Sequence, residues 1–184
     1  MLTHLERIEL LAIARDAIAQ AVRGETPAPP RAPQGSLAGA GGAFVTLRRH
    51  GELRGCIGYI ESPLPLAQVV QEVAVKAARE DPRFPSVRPE ELSDLTCEVS
   101  VLSPIQQVND VTEILVGRDG VLLELGGNRG VLLPQVAVEY RWSREEFLAN
   151  TARKAGLPPR AWEDHRAKLY RFSAEVVGEA HGGG

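Results

Sequence analysis

The sequence predicts an α+β fold, an antiparallel sheet flanked by helices, and three observations carry that expectation. Two apolar, strand-like runs flank His50-Gly51 and read as a hairpin. Helical stripes with capping signals fall between strand-like runs without a regular βαβ alternation. Turn signals at Arg118-Asp119-Gly120 and Gly126-Gly127-Asn128 separate further short apolar runs.

The elements follow in chain order. Thr3 and Glu6 form a capping box, and Leu5, Ile8, Leu11, Ala14, Ile18 and Val22 recur at helical spacing. A helix is therefore expected up to about Gly24, with that stripe inward. Residues 25–42 are rich in Pro, Ala and Gly and predict a partly extended surface connection. Strands are expected over 43–48 and 53–60. Ser62-Pro63 signals a second helix with Leu66, Val69, Val70, Val73 and Ala77 inward, closed by Asp81-Pro82. A turn-rich stretch through Pro89 leads to a strand over 96–102. Runs at 114–116, 121–125 and 131–133 predict a small meander. Ser143 with Glu146 starts another helix, which Gly156 ends. A last strand over 168–177 is expected to place Tyr170, Phe172, Ala174 and Val176 on one face. One domain accounts for the whole chain, with its core over about 5–178 and a disordered tail at 179–184.

Composition limits the function classes. The chain has 184 residues, of which 43% are hydrophobic and 24% charged, with a formal net charge of −3. No global positive field exists to hold nucleic acid, and 5% aromatics leave no basic–aromatic platform. No apolar run approaches the roughly 18 residues of a membrane span, and the N-terminus lacks a secretory pattern. With 2 cysteines only one bridge can form, so the reducing cytoplasm is the expected compartment. His4, His50, His165 and His181 show no ligand-like spacing, and no zinc, P-loop or dinucleotide pattern is present. Neither metal nor cofactor is expected.

Leu53-Arg54-Gly55-Cys56-Ile57-Gly58-Tyr59-Ile60 is the most unusual stretch, because two glycines bracket a cysteine inside a strand. Period-two geometry puts Arg54, Cys56 and Gly58 on one face, with Arg54 and Cys56 about 7 Å apart. A guanidinium at that range favours the thiolate, and the glycines leave room and bare amides for a substrate. The alternative is that Cys56 is a small buried hydrophobe. On the later strand, Cys97, Val99 and Val101 read as core, while Glu98 and Ser100 share the opposite face. Glu98 is then either a general acid or base, a group orienting Arg54, or a cross-strand ion-pair partner. Asp81-Pro82-Arg83-Phe84-Pro85 is either a helix stop with an Asp81–Arg83 clasp or part of a binding site. Gln135 closes a buried run at a helix start, where its amide faces a ligand or solvent.

Leu53-Arg54-Gly55-Cys56-Ile57-Gly58 resembles the hallmark hexapeptide of the AMMECR domain family, whose microbial members are called AmmeMemoRadiSam system protein A. The likeness continues in order through Asp81-Pro82-Arg83-Phe84, Glu98-Val99-Ser100-Val101-Leu102, Gly130-Val131-Leu132-Leu133-Pro134-Gln135 and Lys154-Ala155-Gly156-Leu157, covering about residues 5–178. The resemblance implies two unequal lobes around an antiparallel sheet, with the hexapeptide beside a cleft. It also implies a Memo-like protein and a radical S-adenosylmethionine enzyme as associates. The sites expected are Cys56, Arg54 and Glu98 for chemistry, with Gly55, Gly58, Asp81, Arg83, Ser100 and Gln135 for a small anionic or carbonyl-containing substrate. Two other readings stand beside a cysteine-centred enzyme: a non-catalytic partner subunit, and a regulator of transcription or translation. The sequence departs from the family pattern at Tyr59, where Thr is usual, which is expected to narrow the cleft mouth. It departs again at Ala152, where many relatives carry a second Cys.

Overall fold

The computed structural model describes residues 1–179, so His181 and the expected tail from residue 180 on lie outside the described residues. Helix α1 (His4–Val22) begins at its capping box, with Glu6 N donating to Thr3 Oγ1 and Thr3 N to the Glu6 carboxylate. Its buried stripe is Leu10, Ala14, Ala17, Ile18 and Ala21, whereas Leu5 and Ile8 are exposed. Apolar residues run around most of this helix, so spacing alone admitted two stripes. The alanine-rich one is buried, where small side chains let α2 (Leu66–Arg79) pack against α1.

The Pro-rich connection is irregular except for one 3-10 turn, Gly35–Ala38, which buries Leu37, and an isolated antiparallel bridge from Ala40 to Pro65. Strands β1 (Ala43–Arg49) and β2 (Glu52–Tyr59) then form the expected hairpin. His50 and Gly51 both take positive φ, 51° and 83°, as a type I′ turn requires. Helix α2 starts later than Ser62-Pro63 signals, because Leu64 N bonds Ser62 Oγ and holds those residues in a local turn. All five residues of its expected stripe are buried, joined by Ala67, Ala74 and Ala78. A 3-10 turn over Pro89–Asp94 leads into β3 (Leu95–Leu102).

Beyond β3 come β4 (Gln106–Val108), β5 (Asp119–Leu125), β6 (Asn128–Leu132), α3 (Pro134–Glu139), α4 (Arg144–Lys154) and β7 (Lys168–Gly178). The expected three-run meander is a β5–β6 hairpin only. Residues 114–116 form no strand and lead into a turn at 116–118, with Ile114 buried, Leu115 and Val116 exposed, and Leu115 N donating to Asp119 Oδ2. Ser143 and Glu146 cap α4 as expected, and Gly156 ends it with φ 74°. The regular alternation expected along β7 is absent: Leu169, Phe172 and Val177 are buried and Val176 is exposed. The reason lies in the packing, since β7 leaves one compact unit and enters another between Ala174 and Glu175.

Those units are Met1–Leu102 with the chain from Glu175 onward, and Ser103–Ala174. Strand order is β2-β1-β3-β7-β5-β6 with β4 also on β7, and the described pairings are antiparallel. In the first unit α1 and α2 cover one sheet face over Val45, Leu47, Cys97 and Val99. In the second, α4 places Phe147, Leu148 and Ala152 on Val121 and Leu123. The α+β expectation holds. No described helix is long and apolar enough to cross a membrane.

Candidate functional site

Strand β1 lies between β2 and β3, and its alternating side chains sort the first unit's sheet into two faces. Val45 and Leu47 enter the core beside their partners Ile57, Gly55, Val99 and Cys97. On the other face Thr46 stands abreast of Cys56 on one side and Glu98 on the other. Phe44 likewise stands between Gly58 and Ser100. A row Cys56–Thr46–Glu98 thus crosses three strands, about 10 Å from end to end at ordinary strand spacing.

A β-bulge decides which way the thiol faces. Arg48 pairs with Leu53 but Leu47 pairs with Gly55, so Arg54 is an extra residue on β2. Continued without that insertion, the register would set Cys56 opposite Val45, toward hydrocarbon. The bulge also takes Arg54 out of the row. Its Nε and Nη2 each lie 3.0 Å from the two oxygens of Glu91, and Nη1 donates to Pro85 O at 2.9 Å. Glu91 is buried and also accepts from Arg88 N and Arg49 Nη1. The Arg54 hydrogen bond, working against burial, draws the Glu91 carboxyl down to about 2. The guanidinium expected beside the thiol therefore clamps the 3-10 turn after α2.

Arg83 is a cation that Cys56 does feel. Asp81 is 4% exposed, and its Oδ2 accepts from Cys56 N at 2.9 Å. Arg83 N and Nε donate to Oδ1 at 3.0 Å, and Nη2 donates to Oδ2 at 2.8 Å. The same Nη2 reaches Cys56 O at 3.5 Å. Asp81 is held at about 2, chiefly by the Arg83 hydrogen bond. Arg83 is raised in turn, by Asp81 first and more weakly by the charge of Cys56. The clasp thus closes on the outer edge of β2, where among the described residues main-chain groups have no further strand to pair with. Because Cys56 N turns outward, Thr46 and Cys56 form the kind of pair whose side chains approach most closely. Thr46 Oγ1 lies 3.3 Å from Cys56 Sγ.

The two glycines are not open space. A Cβ on Gly55 would come within 2.2 Å of Ala77 O on α2, and one on Gly58 within 2.2 Å of the Phe44 ring. Nor is the Cys56 amide open to developing charge, since Asp81 takes it. Tyr59 does not face the thiol: its hydroxyl donates to Glu72 and accepts from Lys76, both on α2. Ser100 is fully buried on the polar side of β3, and Gln135 lies in the first turn of α3, in the other unit. Cys97 faces the core, where burial pushes its thiol up to about 12. Both cysteines are thiols on opposite faces, not partners in a bridge. Sequence reasoning passed over Thr46 and Glu91. The hairpin register would have found Thr46, but only with the bulge known.

Fold and site together define a two-unit α+β protein with a half-buried cysteine on an edge strand, braced by an Asp–Arg pair. The chain belongs to the AMMECR1 family, whose model matches residues 11–177. A protein of Thermococcus gammatolerans is 48% identical over 94% of this chain and 89% of its own length. Protein TK0174 of Thermococcus kodakarensis is 47% identical over the same shares. The crystal structure of the uncharacterized protein PH0010 from Pyrococcus horikoshii superposes with a TM-score of 0.88 at 43% identity, covering 93% of this chain and 90% of that one.

Proposed function

We propose that this protein is a cysteine-centred enzyme or modification factor acting through Cys56 on a small carbonyl-containing, anionic substrate. One observation carries the reading: the Cys56 thiol stands on the polar sheet face, 3.3 Å from the Thr46 hydroxyl, with its main chain braced by Asp81. Sγ adds to the carbonyl carbon, forming a C–S bond while the carbonyl π pair moves to oxygen. The thiol proton leaves toward Thr46 and ends on Glu98, abreast of it. Arg83, whose side chain is 50% exposed, favours the thiolate and offers its outer donors to the substrate's anionic group. Arg54 acts here only as a positioning residue, through Glu91.

Alkylation of the folded protein by iodoacetamide at pH 7, read by peptide mass spectrometry, tests this. Cys56 should react roughly tenfold faster than an unactivated thiol, a rate that follows thiolate content. Arg83→Gln should slow it. A rate no faster than that of a free cysteine peptide ends the proposal. The Memo-like protein and the radical enzyme implied by the resemblance enter as partners of the same site. Pull-down with Cys56→Ser separates the roles: assembly kept with activity lost supports chemistry at the thiol, and assembly lost makes the thiol an interface.

A further inference from the structure

The second unit holds a cavity of about 370 Å³ where the paired ends of β4, β5 and β7 meet, with no residue of the Cys56 site in its wall. Its polar wall includes Ser103, Gln106, Arg118, Asp119, Arg171 and Ser173. We propose that this cavity binds the phosphate group of a small phosphorylated molecule.

The argument begins with Asp119, which is buried at 3% exposure. It accepts from Leu115 N at 2.9 Å, and Arg118 closes on it with Nε at 2.8 Å and Nη2 at 2.6 Å. One guanidinium already neutralises that carboxylate. Yet a second, Arg171, stands with Nη1 4.0 Å from Asp119 Oδ2 and 2.9 Å from Glu113 O. Two cations around one anion leave a surplus positive charge. They also leave donors in hand, because among the described residues Arg171 Nε and Nη2 and Arg118 Nη1 have no acceptor.

The surrounding groups fit the same ligand. Gln106 is opposite Arg171 in the β4–β7 register and Asp119 opposite Ser173 in the β5–β7 register, so all four share one sheet face. An amide and a hydroxyl therefore share the face of the Arg171 guanidinium, and the Arg118 guanidinium is drawn to the same cavity by its two bonds to Asp119. A carboxylate has two oxygens in one plane and is met by one arginine fork. Donors from four side chains suit the tetrahedral oxygens of phosphate better. The volume exceeds what a bare phosphate fills and falls within the range of small-molecule sites, so the phosphate arrives on a larger molecule.

The test is titration of the full chain with inorganic phosphate and with phenyl phosphate, read by amide NMR shifts at Gly120 and Ser173. Saturable shifts at these amides are expected, with phenyl phosphate tighter. Arg171→Ala should weaken binding by roughly tenfold, the loss expected for one charge-assisted contact, at unchanged circular dichroism. Arg171→Lys should restore part of it. Arg129→Ala, at a separate cationic hollow beside the β5–β6 turn, should leave it unchanged. The proposal is overturned if phosphate gives no saturable shift, if acetate binds as tightly, or if Arg129→Ala rather than Arg171→Ala weakens binding.

Discussion

Gly55 and Gly58 both refuse a methyl group, but they fail at different costs. The group facing Gly55 is Ala77 O, part of the backbone of α2, and 2.2 Å leaves it no way to give. Gly58 faces the Phe44 ring, which can turn, although Ala43 O at 2.5 Å stands behind it. Gly55→Ala should therefore lower unfolding free energy by about 2–3 kcal/mol, as overpacking between a helix and a sheet does. Urea denaturation with an unchanged slope is the check, and a midpoint equal to that of the wild type refutes the packing account. The sequence marked both glycines as out of place in a strand, which was sound. It could not say whether the space beside them was empty or filled, since Ala77 lies 22 positions away from Gly55 in the chain. Cys56 suffered the same limit, as its distinction from Cys97 rests on one inserted residue across the hairpin.

At the level of elements, the segment from Asp81 to Glu91 ties α2 to β3 and seals the open edge of β2. Two buried carboxylates do this, Asp81 under Arg83 and Glu91 under Arg54. Both are held near 2 in the folded chain, below reference values of 3.8 and 4.5. Folding thus favours their ionised forms, so their contribution is complete above about pH 4.5 and is lost as pH falls from there toward 2. Stability measured from pH 6 to pH 2 should drop across that window. Asp81→Asn with Glu91→Gln should be less stable at pH 6 and show a flatter acid limb. A double variant with the wild-type slope would place the acid sensitivity elsewhere. Element boundaries were legible wherever a local signal set them: the Thr3 and Ser143 caps, the His50-Gly51 turn, the Gly156 stop. They were misread where a side-chain acceptor a few residues away decided: Ser62 takes Leu64 N and delays α2, and Asp119 takes Leu115 N and turns the chain just after 114–116.

Across the molecule, one strand serves two cores. β7 begins in the second unit and ends in the first, where Glu175 and Glu179 are gripped by Arg7 and Arg15 of α1. Glu175 also takes Leu2 N at 3.0 Å, and Glu179 takes Cys97 N at 2.8 Å, so these two carboxylates fasten α1 and β3 to the strand's end. Each ion pair is only part-buried, which limits it to roughly 1 kcal/mol, and the main-chain bonds add a similar amount. Glu175→Gln with Glu179→Gln should then loosen the first unit by about 2–3 kcal/mol. Trp142 and Trp162 both lie in the second unit, so tryptophan fluorescence follows that core. Cys97 lies in the first, so its labelling in urea, in a Cys56→Ser background, follows the other. The double variant should bring Cys97 labelling to lower urea while the fluorescence midpoint moves little. If both midpoints shift together, the two cores melt as one and the strand they share transmits the loss. If neither shifts, α1 is held by its apolar stripe alone and the carboxylates at the end of β7 only decorate it.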